Sequence, residues 1–280
     1  MKRSILSLAC DDGPGIVAAV SGHLAARADN IVDAQQYGDP ATRRFFMRVV
    51  FESADGAEAA SGFGAVAARF AMSWRVRDAA RRKRALILVS KFDHCLVDLL
   101  YRVRVGELPM EVAGVVSNHP REVVGARDLG GAPFHHIPVS KGHKADAETR
   151  LRALIAETGA ELVVLARYMQ ILSDGMAREL AGRCVNIHHS FLPGFKGARP
   201  YHQAHQRGVK MIGATAHFVT PDLDEGPIIA QGVEPVGHRD TPSDMIALGR
   251  ALEARVLARA VKALCEERVF LNGARTVVFG

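Results

Sequence analysis

The sequence is poor in cysteine and has no long hydrophobic run, and each absence excludes a class of protein. Its four cysteines lie far apart and form no C-x-x-C pair, so it predicts neither a disulfide framework nor a cysteine-rich zinc site. No apolar run approaches the about 18 residues that a membrane helix needs, and the opening apolar stretch is shorter than the about 7–15 residues of an export signal. We therefore expect a cytoplasmic protein with no membrane partner.

The short motifs that mark common catalytic and cofactor sites are also missing. There is no G-x-S-x-G elbow, no P-loop, and no G-x-G-x-x-G after the apolar run Ala85–Ser90. The next segment, Ser90–Cys95, lacks the glycines that would wrap backbone amides around a phosphate. His202 and His205 have a spacing that suits metal ligands, but we expect them on an exposed helix with no carboxylate or thiolate partner nearby. We predict no cofactor and no metal.

The positive charge is spread along the chain. A net charge of +6 would suit a nucleic-acid partner, but the only tight basic run is residues 81–84. Such a run is usually a solvated linker, so we predict no nucleic-acid partner and a domain boundary at this run. A composition that is 48% hydrophobic and 24% charged supplies enough apolar side chains for two cores.

Residues 1–80 read as β-α-β-β-α-β, which predicts a ferredoxin-like α+β domain. The first strand is Arg3–Ala9, and the helix after it is expected to open with Asp12 as its cap and Pro14 in its first turn. Turn residues 38–42 then separate two strands that form a hairpin.

After the basic linker, residues 85–280 predict a doubly wound, mostly parallel α/β domain. Ala85–Ser90 is a short apolar run typical of a buried parallel strand. The later strand candidates are 110–116, 161–166, 184–187 and 211–219, and they alternate with helices at 93–104, 146–158, 173–182, 200–208 and 243–266. The dipeptide Asn272-Gly273 marks a closing hairpin, which we assign to the same domain.

Polar residues at the ends of two of these strands form a candidate active site. Period-two alternation places Asn186 and His188 on one side of a strand, and Asp224 lies in the turn that follows 213–219. Ligands of such sheets bind beyond the carboxyl ends of the strands, so we expect the three side chains to converge there. An amide, an imidazole and a carboxylate together can hydrolyse or transfer an acyl carbon.

Several segments resemble the formyltetrahydrofolate-dependent formyltransferase superfamily. They are Asn186-Ile187-His188, Phe191-Leu192-Pro193-Gly194, Gly197, Gly213–Phe218 and Leu223–Pro227. The longer run Asn186–Pro193 with Gly197–Ala204, preceded by a small domain, resembles the formyltetrahydrofolate deformylases. The resemblance spans nearly the whole chain.

The resemblance implies that 10-formyltetrahydrofolate is hydrolysed to formate and tetrahydrofolate, which supplies formate for purine synthesis and balances the one-carbon folate pools. It assigns Asn186, His188 and Asp224 as the catalytic residues. It also implies folate contacts by Met169, Gln170, Leu172, Val219, Thr220 and Asp222. Transfer of the formyl group to an amine acceptor and a non-catalytic folate or amino-acid sensor stay open as alternatives, as does whether His188 or Asp224 activates the water.

The first 80 residues resemble an ACT domain, a module that commonly binds small amino acids between paired copies. Asp12, Gly15, Asn30 and Ile31 match its ligand-loop positions. The resemblance implies a glycine or methionine effector and a homo-oligomer formed through these domains. The alternative is that Asp12 only caps a helix while Gly15 and Asn30 serve packing and turns.

Overall fold

The computed structural model describes residues 1–54, 62–140, 142–194 and 200–280. The chain divides into two compact units, one made of Met1–Arg82 with Glu266–Gly280 and the other of Lys83–Cys265. The expected domains, 1–80 and 85–280, therefore need two corrections. The basic run is not a separate linker, because its last two residues open a strand, and the carboxyl-terminal hairpin belongs to the first unit.

The first unit has the predicted β-α-β-β-α-β order. Its elements are β1 (Lys2–Asp11), α1 (Ile16–Ala26), β2 (Asn30–Asp39), β3 (Arg44–Ser53), α2 (Phe63–Arg69) and β4 (Ser73–Asp78), and the strands form an antiparallel sheet in the order β2-β3-β1-β4. Apolar side chains alternate along β1 and β3 and pack against Ile16, Val20 and Leu24 of α1. These contacts form the core of the unit. The sequence predicts the second helix over 57–70, and the part of it at 57–61 lies outside the described residues.

The first helix does not begin as predicted. The helix starts at Ile16 with Gly15 as its cap, at a left-handed φ of 87°, and no side chain caps it, so the prediction of Asp12 as the cap with Pro14 in the first turn is wrong. The Asp12 carboxylate lies instead against Gly38, where an added Cβ would meet its Oδ2 at 2.6 Å. Asp12 is therefore free of a capping role.

The carboxyl-terminal strands β12 (Val269–Asn272) and β13 (Arg275–Val278) form the predicted hairpin and pack within the first unit. The Phe270 ring lies 5.8 Å from that of Phe46, and Asn272 Nδ2 donates to Asp39 Oδ2 at 2.6 Å. The dipeptide Asn272-Gly273 predicts the local turn. The contacts with Phe46 and Asp39, which are distant in sequence, place the hairpin in the first unit.

The second unit is an α/β domain around a seven-stranded sheet. Its elements are β5 (Lys83–Val89), α3 (His94–Arg104), β6 (Met110–Ser117), β7 (Phe134–His136), α4 (Lys144–Thr158), β8 (Leu162–Leu165), α5 (Asp174–Glu179), β9 (Cys184–His188), α6 (Pro200–Gln206), β10 (Met211–Phe218), β11 (Ile228–Pro235) and α7 (Pro242–Cys265). The strand order is β11-β10-β9-β8-β5-β6-β7. Four of its strand pairs are parallel, which confirms a mostly parallel sheet.

Two features of this sheet differ from the prediction. Strands β7 and β11 were not predicted, and β10 runs antiparallel to both of its neighbours. The apolar run of β10 has the same pattern whether its partners are parallel or antiparallel, so periodicity does not reveal the direction. No helix within the described ranges is long and apolar enough to span a bilayer.

Candidate active site

A cavity of about 380 Å³ lies in the second unit, within the size range of small-molecule sites. Its walls come from the segment after β8, the end of β9 and the loop after β10. Five of the six predicted folate residues line it: Met169, Gln170, Leu172, Val219 and Thr220. The sixth, Asp222, is exposed and does not line the cavity, and its backbone oxygen accepts from Thr220 Oγ1 at 3.0 Å. Asp222 thus shapes the loop rather than the cavity wall.

The segment after β8 is held in place by polar contacts at both of its ends. Ser90 Oγ accepts from the backbone N of Met169 at 3.0 Å, while the backbone N and the hydroxyl of Ser173 both donate to the buried Glu148. Burial, with a smaller contribution from Glu148, raises the pKa of Tyr168 to about 12, so this cavity residue is a neutral phenol.

Asn186 and His188 sit two residues apart on β9, as period-two alternation predicts, and both line the cavity. Antiparallel pairing places His217 of β10 directly opposite Asn186, so the side chains of all three residues share one face of the β9–β10 pair. The site thus combines the adjacent carboxyl ends of the parallel strands β8 and β9 with the antiparallel pairing of β9 and β10.

Asp224 reaches that face from the loop after β10. Its Oδ2 lies 3.2 Å from His188 Nδ1, and its Oδ1 lies 3.7 Å from His217 Nε2. Asp224 has a left-handed φ of 58°, a conformation uncommon outside glycine, asparagine and aspartate. Gly226 allows the loop to pass close to β10, because an added Cβ there would lie 1.8 Å from the carbonyl oxygen of Phe218.

Charge within the site is arranged around Asp224. Burial alone would raise its pKa, but the hydrogen bond from His188, with a smaller contribution from the nearby His217 ring, outweighs burial and holds the pKa well below its ordinary value. Asp224 is therefore an anion at neutral pH. Because a carboxylate only accepts, the His188 proton lies on Nδ1, which leaves Nε2, buried and without a partner in the described part of the chain, to act on a ligand.

His217 lies within the motif Gly213–Phe218 and lines the same cavity, although the sequence alone assigns it no role. Its Nδ1 lies 2.9 Å from the Phe218 carbonyl oxygen, so in the neutral ring the proton lies there. Nε2 then accepts from Asn186 Nδ2 at 3.3 Å. This hydrogen bond orients the Asn186 amide so that Nδ2 faces the cavity. The second N–H of Nδ2 is then available to donate to a ligand oxygen.

The turn after β9 is anchored to β10 by a buried hydroxyl. Thr215 Oγ1 donates to the Ser190 carbonyl at 2.9 Å and accepts from the backbone N of Leu192 at 3.1 Å. Ser190 Oγ donates to the Gly194 carbonyl at 2.7 Å, which closes the turn. The motif residues Gly197, Ala198 and Arg199 lie outside the described residues.

One trio of side chains within the described ranges has the spacing of a metal site. His94, Cys95 and Glu253 each place a potential ligand atom within 4.8 Å of the others. Yet Tyr201 Oη donates to Glu253 Oε1 at 2.6 Å, and Arg167 Nε lies 3.4 Å from Glu253 Oε2. Burial also raises the pKa of the Cys95 thiol well above its ordinary value. The Arg167 cation beside Glu253 and the neutral Cys95 thiol both disfavour a bound metal ion.

The predicted regulatory residues of the first unit do not meet within one chain. Asn30, at the start of β2, pairs with Glu52, whereas Asp11, next to Asp12, pairs with Arg44. The two positions on β3 are eight residues apart, or about 26 Å along a strand. Asp12 and Gly15 therefore lie at one end of the sheet, and Asn30 and Ile31 lie at the other.

Comparison with known proteins identifies the family. Residues 83–261 match the model of the formyl transferase family. A formyltetrahydrofolate deformylase from Corynebacterium sp. (strain P-1) is 53% identical over 282 residues, which cover 99% of this chain and 98% of that protein. The chain belongs to the formyltetrahydrofolate deformylase family. A second deformylase, from Bacillus subtilis, is 44% identical over 98% of this chain and 93% of its own length.

Solved structures separate the deformylase family from its transferase relatives. The structure of a formyltetrahydrofolate deformylase from Burkholderia mallei matches with 50% identity, a TM-score of 0.95 and full coverage of both chains. A glycinamide ribonucleotide transformylase from Symbiobacterium toebii matches with 33% identity and a TM-score of 0.66, covering 71% of this chain and 95% of its own. The transferase thus matches a smaller part of this chain than the deformylase does.

Proposed function

We propose that this protein hydrolyses 10-formyltetrahydrofolate to formate and tetrahydrofolate. The observation that carries the proposal is the buried pair His188–Asp224, which shares one face of a cavity with Asn186. Full-length similarity to proteins named formyltetrahydrofolate deformylase supports this substrate. The reaction would supply formate for purine synthesis and balance the one-carbon folate pools.

The geometry supports a general-base mechanism. Nε2 of His188 takes one proton from water as the water oxygen bonds to the formyl carbon, and Asp224, held at 3.2 Å from Nδ1, stabilises the imidazolium. Of the two groups considered, His188 is thus the direct base. Asn186 Nδ2 donates its second N–H to the oxygen that becomes negative. His188 then returns its proton to N10 as the C–N10 bond breaks, and formate leaves with release of the remaining acidic proton.

The test of the proposed function is a product analysis with and without an acceptor amine. We expect steady multiple turnover to formate and tetrahydrofolate in buffer that contains no amine, and no faster turnover when glycinamide is added. Formation of formate without any formylated amine among the products would support hydrolysis. Loss of the formyl group only when an amine is present would assign a transferase. Folate binding without loss of the formyl group would assign a sensor.

We propose that the first unit is an ACT-like regulatory domain that binds glycine or methionine between two copies. The separation of Asp12 and Gly15 from Asn30 and Ile31 supports a two-copy site, since one pair from each copy can meet only across an interface. Binding of either amino acid, measured by calorimetry and lost in Asp12→Ala, would support the site. The homo-oligomer and the cytoplasmic location stay predictions.

A further inference from the structure

His189 is a second imidazole in the cavity to which the mechanism gives no task. It follows β9 directly, lines the cavity, and is half-buried. Its ring centroid lies 5.1 Å from that of His188, with the two planes at 79°. Its ring nitrogens make no hydrogen bond within the part of the chain that the structure describes. A polar ring beside the catalytic base is thus available to a ligand.

A second set of contacts fixes the His189 ring. The Tyr201 ring packs edge-on against it at 6.3 Å, and Tyr201 Oη is held by Glu253 at 2.6 Å. Gly249 makes room for Tyr201, because an added Cβ there would lie 2.1 Å from the phenolic oxygen. This packing orders the ring before any ligand arrives.

We infer that His189 holds the attacking water by accepting the hydrogen bond of the proton that His188 does not remove. The inference rests on the proposed hydrolysis. Hydrogen bonds to imidazole nitrogens are about 2.7–3.2 Å long, so two rings with this centroid separation can both reach one water molecule. With each proton directed at one ring, a lone pair of the water oxygen is left to point at the formyl carbon.

The electrostatic surroundings suit a group that holds water without taking its proton. Burial, then the nearby Arg167 and His188, lower the pKa of His189 to about 4, although Glu253 and Asp224 oppose the shift. The ring is therefore neutral at neutral pH and is a weaker base than an ordinary imidazole. During the reaction the water oxygen bonds to the formyl carbon, His188 carries the removed proton to N10, and His189 stays neutral throughout.

The test compares His189→Ala with His189→Asn, whose amide oxygen can still accept a hydrogen bond, and with the control His205→Ala on an exposed face of α6. We expect His189→Ala to lower kcat for formate release by about 10²-fold, the typical cost of a misplaced reactant, while tetrahydrofolate binding and KM stay within about twofold. His189→Asn should recover part of the loss, and His205→Ala should match wild type.

A partition experiment separates water positioning from a structural effect. With hydroxylamine present as a competing nucleophile, His189→Ala should raise the ratio of formylhydroxylamine to formate about 10²-fold, because only water loses its positioning group. A kcat within threefold of wild type, or a lower kcat with an unchanged ratio, would overturn the inference. A wild-type protein that releases no formate would instead overturn the proposed function on which the inference rests. If His189→Ala does not fold, the same ratio measured in His189→Asn decides, with a smaller rise expected.

Discussion

His188 Nδ1 lies 3.2 Å from Asp224 Oδ2 although the chain leaves β9 and β10 at opposite ends of that strand pair. The loop after Phe218 crosses the face of the pair and returns to the sheet at Ile228. The Asp224 carboxylate is thus placed by the loop that connects the antiparallel strands β10 and β11. Three predictions concern how this loop and its neighbours position the site.

Asp224 and Asp222 offer a matched pair of carboxylates in the same loop. Asp224→Asn removes the anion that orients His188 and stabilises its charged form, so we expect kcat to fall by about 10²–10⁴-fold. Asp222 is exposed and outside the cavity wall, so Asp222→Asn should change kcat by no more than about twofold. Steady-state formate release measures both, and the reverse order of effects would refute the choice of Asp224.

His217 tests whether the orientation of the Asn186 amide matters. His217→Ala removes the acceptor of the Asn186 Nδ2 hydrogen bond, which in neutral pairs contributes about 1 kcal/mol, so kcat should fall about five- to tenfold with little change in folate binding. His217→Gln offers a replacement acceptor and should lose less. Equal loss in both variants would show that packing of this buried ring, rather than its hydrogen bond, is what matters.

Gly226 tests the close approach of the Asp224 loop to β10. A Cβ at this position would overlap the Phe218 carbonyl, so Gly226→Ala should displace the loop, cost about 1–3 kcal/mol in the free energy of unfolding, and lower kcat as well. Gly175→Ala is the control, because the nearest heavy atom to its added Cβ would lie at 3.9 Å. Urea unfolding followed by fluorescence or circular dichroism would measure the stability of both variants, and steady-state formate release would measure their kcat. A Gly226→Ala variant as stable and active as wild type would contradict the crowding seen here.

Phe270 tests the assignment of the carboxyl-terminal hairpin to the first unit. Its ring packs against Phe46 and Phe279, and it is partly buried, so Phe270→Ala should cost about 2 kcal/mol, less than a fully buried phenylalanine. Hydrogen exchange should localise the loss to β1–β4. Faster exchange confined to β5–β11 would place the hairpin with the second unit instead.

The sequence predicts the residues of the site better than it predicts how they meet. Period-two alternation is a local property, so it places Asn186 and His188 on one face of β9 correctly. The convergence with Asp224 was predicted from the carboxyl ends of parallel strands, which is not the reason it occurs. Strand direction depends on long-range pairing that a run of apolar residues does not encode.

Other differences have the same physical origin. Strand β11 contains Gly232 and ends at Pro235, both unfavourable in strands, yet pairing with β10 makes it one. The hairpin at Asn272-Gly273 is encoded in two adjacent residues, but its place in the first unit depends on Phe46 and Asp39, far away in sequence. His217 and His189 both lie in motifs that carry the family resemblance, but only the folded chain shows that their rings lie beside Asn186 and His188.

The measurement that tests the central claim most directly is formate release from 10-formyltetrahydrofolate by the wild-type protein and His188→Ala, alongside tetrahydrofolate binding to both. The account predicts steady turnover by the wild-type protein without any amine, and a fall of about 10²–10⁴-fold or more in His188→Ala while the folate still binds. Turnover by His188→Ala close to that of the wild-type protein would contradict the assignment of the cavity around Asn186, His188 and Asp224 as the active site.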